Sequence, residues 1–156
     1  MRTLIIYQSY HKMNTKKIAK VMAETMNADI VKVEDAKIGE LAKYDLIGFG
    51  SGIYGSGFHK TIDTLIEKMP NMNKNVFLFF TTAYFGAKNL YAVKDKLSEK
   101  GCKIIGEFSC SGEYSPLGFN LNFKGKGAFI AGREKGHPDE KDMESARIFA
   151  KGLLNL

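Results

Sequence analysis

The sequence predicts an α/β domain: a doubly wound, five-stranded parallel sheet in three layers. Short apolar runs rich in β-branched and aromatic residues recur at Thr3–Tyr7, Ile30–Val33, Leu46–Phe49, Val76–Phe80 and Lys103–Phe108. Several are apolar on both faces, as strands covered by helices on each side must be. The stretches between them carry apolar residues at helical spacing. Strand and helix alternating along one chain select a parallel sheet with right-handed crossovers.

The elements follow in order. After the first strand, Asn14 to Met26 reads as a helix whose inner face is Ile18, Val21, Met22 and Met26. The connection from Glu34 to Lys43 holds one or two helical turns, marked by Ile38, Leu41 and Ala42. From His59 to Met69, the residues Ile62, Leu65, Ile66 and Met69 line one face, and Leu90, Val93 and Leu97 repeat the pattern. The last helix is expected to begin near Pro138, since proline suits a first helical position and Asp139 and Glu140 favour the positive end of the dipole. It runs to about Leu154, with Ala146, Phe149, Ala150 and Leu153 inward.

A length of 156 residues suits one domain with one core, spanning residues 1–156. No apolar run is long enough to cross a bilayer, so no membrane is expected. The N-terminal MRTLIIYQSY is too short in its apolar part for a secretory signal, and a cytoplasmic protein is expected. Cys102 and Cys110 form no C-x-x-C pair and read as free thiols, with no metal site. The net charge of +6 attracts anions or acidic proteins, but no nucleic-acid signature accompanies it.

A parallel sheet of this kind binds ligands beyond the carboxyl ends of its strands. The loops there are Gln8–Asn14, Ser51–Phe58, Thr81–Lys88 and Ser109–His137. The last, at about 109–137, is long and carries Tyr114, Phe119, Phe123 and Phe129; it is a lid or an added hairpin. Gly50-Ser-Gly52-Ile-Tyr-Gly55 matches G-x-G-x-x-G but follows the third strand and lacks the acidic residue of a dinucleotide site. It reads instead as a flexible loop that brings backbone close to a ligand. There is no Walker A motif and no G-x-S-x-G elbow, and His11, His59 and His137 are scattered without a nucleophile. In the first loop, Ser9, Asn14 and Thr15 are short polar donors beside a helix start, where backbone N–H groups favour phosphate. Asn14 can also cap the helix.

The segment Tyr7-Gln-Ser9-Tyr-His-Lys-Met-Asn14-Thr15-Lys-Lys-Ile-Ala19 resembles the FMN phosphate loop of flavodoxins. Ser9, Asn14 and Thr15 match its ends, and Tyr10-His11-Lys12-Met13 replaces its glycine-bearing centre with one residue more. The resemblance covers the whole chain in order and length. It implies a sheet of order 2-1-3-4-5 and a noncovalently bound FMN. It places Ser9, His11, Lys12, Met13, Asn14 and Thr15 around the phosphate. It puts Ser51, Gly52, Ile53, Tyr54 and Gly55 on one flavin face, with the Tyr54–Gly55 peptide able to turn its carbonyl toward flavin N5. Thr81, Thr82, Ala83, Tyr84, Phe85 and Gly86 then cradle the pyrimidine side. The frequent acidic residue of that loop is missing here.

The function this implies is a low-potential electron carrier between redox partner proteins. No side chain is required as a general acid or base, so no catalytic residue is named. Many flavodoxins are acidic; a chain at +6 calls instead for acidic docking patches on its partners. Two alternatives stay open. One is an NAD(P)H-dependent flavin or quinone reductase on the same fold, favoured by the long aromatic loop. The other is a binding module without flavin, favoured by the altered phosphate loop.

Overall fold

The computed structural model describes residues 1–10, 12–53, 57–82, 90–112 and 136–156. Five strands form one parallel sheet: β1 (Thr3–Gln8), β2 (Asp29–Lys32), β3 (Leu46–Gly52), β4 (Asn75–Thr82) and β5 (Lys103–Ser111). Their order is β2-β1-β3-β4-β5. Four α-helices are described: α1 (Asn14–Met26), α2 (Lys60–Lys68), α3 (Tyr91–Glu99) and α4 (Glu140–Leu154). The predicted class, strand count and order are all observed.

Strand periodicity builds the three layers, because successive side chains point to opposite faces. On β1, Ile5 and Tyr7 face α1 and α4 and pack with Ile18, Met22, Ala146 and Leu153. Leu4 and Ile6 face the other way, into a core shared with Leu41, Ile62, Ile66, Val93 and Leu97. All six residues of β1 are buried. The edge strand β2 is short and half-exposed instead, and opens with the exposed Asp29. Short, polar-flanked edges resist pairing with another chain.

The expected G-x-G-x-x-G loop is revised here. Gly50 lies inside β3, paired with Tyr7 and Phe79, and Gly52 ends the strand opposite Thr81. A Cβ on Gly50 would sit 2.0 Å from Phe79 Cζ, and one on Gly48 would sit 2.3 Å from Phe77 Cζ. These glycines make room for two fully buried rings on the neighbouring strand. Ser51, Gly52, Thr81, Thr82 and Ser109 to Ser111 likewise belong to strand ends rather than to loops, because each pairs with a neighbour.

The turns expected after β2 are present as two 3-10 turns, Val33–Asp35 and Ile38–Lys43, with Leu41 fully buried as the anchor. Two other local expectations change. Helix α4 starts after Pro138, not at it. Asp139 is its N-cap, and its side chain accepts from Lys141 N and Asp142 N while the Asp142 side chain accepts from Asp139 N. That reciprocal pair satisfies helix-end donors that Pro138 cannot. Phe149 is only partly buried, while Ala146, Ala150 and Leu153 turn fully inward.

Candidate functional site

The carboxyl ends of β1, β3, β4 and β5 meet at the N-terminus of α1. The first loop answers how a chain turns there without glycine. Met13 takes the left-handed conformation, φ 56 and ψ 32. That costs a non-glycine residue roughly 1–2 kcal/mol. The Met13 amide donates to Tyr10 O at 3.2 Å and closes the turn, and Lys17 N donates to Met13 O at 3.1 Å.

Asn14 is not the cap; it is already the first helical residue, and Met13 at the cap position makes no side-chain bond. The capping hydroxyl comes from further back, since Ser9 Oγ accepts from Lys16 N at 3.2 Å. Ser9 is buried, and its own amide donates to Gln8 Oε1 at 3.0 Å. Its hydroxyl proton is directed by neither bond.

Thr81 joins three of the converging segments. Its hydroxyl pairs with that of Thr15 at 3.0 Å, and both residues are buried. Its carbonyl accepts from Ile53 N at 3.1 Å. Next to it, Thr82 O accepts from Gly112 N at 3.1 Å. A Cβ at Gly112 would lie 3.0 Å from Asn14 Nδ2 and 3.1 Å from Thr81 Cβ, so glycine lets the end of β5 close onto the first loop. Ser51, fully buried, donates its hydroxyl to Gly52 O at 2.6 Å and accepts from His59 N at 3.0 Å. It ties the start of the β3–α2 connection to its end.

Sequence reasoning missed a second layer of contacts. Gln8 Nε2 donates to Tyr10 OH at 3.2 Å and to Thr61 Oγ1 at 3.3 Å. His59 caps α2, its Nδ1 accepting from Thr61 N at 3.3 Å, and its ring meets Tyr10 edge-on at 5.1 Å. Burial lowers the His59 pKa, with Lys60 adding to it, so the neutral, accepting imidazole is favoured. The available signal was positional: a histidine directly before a helical run, and a polar Gln8 closing an apolar strand.

Of the predicted residues, Ser9, Lys12, Met13, Asn14, Thr15, Ser51, Gly52, Ile53, Thr81 and Thr82 lie at this end of the sheet. Ser9, Asn14, Thr15 and Thr81 are brought together; Lys12 and Met13 are exposed at the rim. His11, Tyr54, Gly55, Ala83, Tyr84, Phe85 and Gly86 lie outside the described residues, as do 113–135 of the long loop.

Two other groups have passive or structural roles. Cys102 and Cys110 are free thiols, and burial pushes the Cys110 thiol up to about 12, with Asp142 and Asp139 adding to it. A thiol so held is not a nucleophile at neutral pH. His137, Asp139 and Asp142 cluster before α4 with ligand atoms within 4.8 Å. Their bonds are those of a cap: Asp142 Oδ2 accepts from Asp139 N at 2.9 Å and pairs with His137 Nδ1 at 2.6 Å.

The donor set at α1 fits a phosphate. It offers hydroxyl and amide groups and the positive end of a helix, and from Thr3 to Val21 the chain carries no acidic side chain. Gly112 lets the backbone at the end of β5 pack close to Asn14.

Comparison with known proteins agrees with this fold. Residues 4–121 match the family model of the flavodoxin domain. An uncharacterized protein of Methanocaldococcus jannaschii is 40% identical over 156 residues, covering 99% of each chain. Among solved structures, a flavodoxin from the domain Archaea has a TM-score of 0.71 at 14% identity, covering 99% of this chain and 97% of its own. Oxidised flavodoxin 1 from Bacillus cereus has a TM-score of 0.69 at 15% identity, covering 99% and 98%. At such identities these two show the shared fold. Among the described residues, no helix is long and apolar enough to cross a membrane.

Proposed function

This chain belongs to the flavodoxin-domain family, and from that premise we propose that it binds FMN noncovalently and carries single electrons between redox partners. The observation that carries the reading is the convergence of Ser9, Asn14, Thr15 and Thr81 at the N-terminus of α1. When bound, the flavin supplies the electron chemistry. The protein supplies position and electrostatics.

Each residue then has a physical task. Ser9, fixed by Lys16 N, turns its hydroxyl proton toward a phosphate oxygen. Asn14 and the first N–H groups of α1 add neutral donors, and the dipole favours the dianion. The Thr15–Thr81 pair locks the phosphate loop to the end of β4. The bond from Ile53 N to Thr81 O fixes the spacing of the two loops that would flank the ring. Tyr54 and the segment 83–86 are expected to complete the ring site.

The test is differential binding. Asn14→Ala should weaken FMN by about tenfold, a charge-assisted bond's worth, and riboflavin far less, since only FMN carries the phosphate. Equal losses would remove the loop from the phosphate site. Purified chain that stays colourless after incubation with FMN would sink the whole reading.

A second reading is a flavin-dependent NAD(P)H oxidoreductase acting on flavin or quinone. The aromatic content of 113–135, with Tyr114, Phe119, Phe123 and Phe129, favours it, because a carrier has little use for a cover. Stopped-flow mixing of the yellow protein with NADPH separates the two: a carrier bleaches negligibly without an added reductase.

A further inference from the structure

We propose that Tyr10, Lys12, Met13, Lys16, Lys17 and Lys20 form a docking surface for an acidic protein. That the partner exchanges electrons rests on the FMN reading; the docking itself does not.

The first argument is the distribution of charge. Residues 12–20 carry four lysines, and the first acidic residue of α1 is Glu24. Several cations elsewhere meet acids. Lys96 contacts Glu67 at 2.8 Å and Asp63 at 3.6 Å, Lys94 contacts Glu107 at 2.7 Å, and Lys32 contacts Glu34 at 3.4 Å. Lys16, Lys17 and Lys20 form no ion pair among the described residues. The helix packed beside them offers no relief, because Arg147 holds Glu140 at 2.8 Å and Glu144 at 3.0 Å on α4. Positive potential therefore gathers at this end of α1, where it steers an acidic partner toward the site.

The second argument is the apolar centre. Tyr10 is 47% exposed and Met13 42% exposed, in the turn that leads into the lysines of α1. Tyrosine and methionine are enriched in interface cores, with charge at the rim. The conformation of Met13 is one that glycine adopts freely, yet the chain presents a large side chain there. A contact made by that side chain accounts for it.

The third argument is place. Lys16 N is the donor to Ser9 Oγ, so this surface borders the phosphate loop. A partner seated here sits at the mouth of the crevice. An anionic membrane fits less well: the apolar face of α1 is buried against the sheet, leaving two side chains to enter lipid, too few for an interfacial helix.

The test uses the full chain, 15N-labelled, titrated with a synthetic peptide of glutamate pairs alternating with single leucines. Amide shifts should concentrate in residues 10–20 and at His59, which touches Tyr10. Lys16→Glu with Lys17→Glu should weaken the peptide at least about tenfold at low salt, whereas Lys68→Glu with Lys74→Glu, the same change in net charge on the other side of the sheet, should cost less than about twofold. Met13→Gly should weaken it about threefold with every charge retained. Shifts spread evenly over α2 and α3, equal losses in both charge variants, or an unaffected Met13→Gly would overturn the proposal. So would phosphatidylserine vesicles that bind the chain with the same residue dependence and displace the peptide. Colourless protein that still binds at residues 10–20 counts against FMN and supports docking; yellow protein with shifts elsewhere counts against docking alone.

Discussion

Replacing Thr15 by valine removes one hydroxyl from a buried pair and keeps the outline of the side chain. Thr15 and Thr81 are 2% and 6% exposed, with their oxygens 3.0 Å apart. Water cannot replace the lost partner without opening the loop, so the remaining Thr81 hydroxyl bears its desolvation alone. That costs about 1–3 kcal/mol, and Thr81→Val should cost about the same. Replacing both leaves two apolar groups of the right shape, and the double variant should lie well short of the sum. A coupling of about 1–2 kcal/mol is expected. Urea unfolding of the flavin-free chain measures it, and the melting temperature follows at roughly 2–4 °C per kcal/mol for a chain of this size. Additive single effects, or single losses under about 0.3 kcal/mol, would mean the pair does not join the first loop to β4.

Other substitutions probe separate features. Gly50→Ala should destabilise by about 3 kcal/mol or more, because its Cβ would overlap the buried Phe79 ring; the unfolding midpoint reads it, and a loss under about 1 kcal/mol would contradict the packing. Met13→Gly should raise stability by about 0.5–1 kcal/mol, the relieved left-handed strain less the added chain entropy. Stability should also fall in acid. His59 has its pKa lowered from 6.5 in the folded chain, so the unfolded chain binds the extra proton and the contribution, full above about 6.5, is lost as pH falls through the folded value. His59→Asn, which keeps a cap acceptor, should flatten that limb of the pH profile. Asp139, held low chiefly by the Asp142 amide, adds a second loss below its ordinary range near 3.8. At pH 8, Cys110 should react with a thiol reagent only after unfolding, since a pKa of about 12 leaves a thiolate fraction of about one in ten thousand.

Much of the fold was legible because its signals are local or periodic. The β1 run is apolar on both faces, and α1 begins and ends at the residues its pattern marks, Asn14 and Met26. What escaped depends on contacts across the sheet or on uncommon backbone. Gly50 looks like a loop glycine until Phe79 on the next strand is placed over it. The cap of α1 comes from Ser9, beyond the window in which capping boxes are read. Met13 takes a conformation that its residue type disfavours, which no propensity foretells. The polar ends of the site, Ser9, Asn14 and Thr15, were readable from their place after the first strand. Their link to Thr81 needed the register of β3 and β4.

The packing of α4 bears on how the chain is made. The face of the sheet that carries Ile5, Phe77 and Phe79 is covered by α1 together with Ala146, Ala150 and Leu153. During synthesis, all five strands leave the ribosome before α4 exists. Until then that layer lacks the part of its cover that Ala146, Ala150 and Leu153 supply. At elongation rates of about 5–20 residues per second, residues 112–154 keep it so for several seconds. The last helix thus acts as a closing flap, and the unfinished chain is the species most in need of a chaperone.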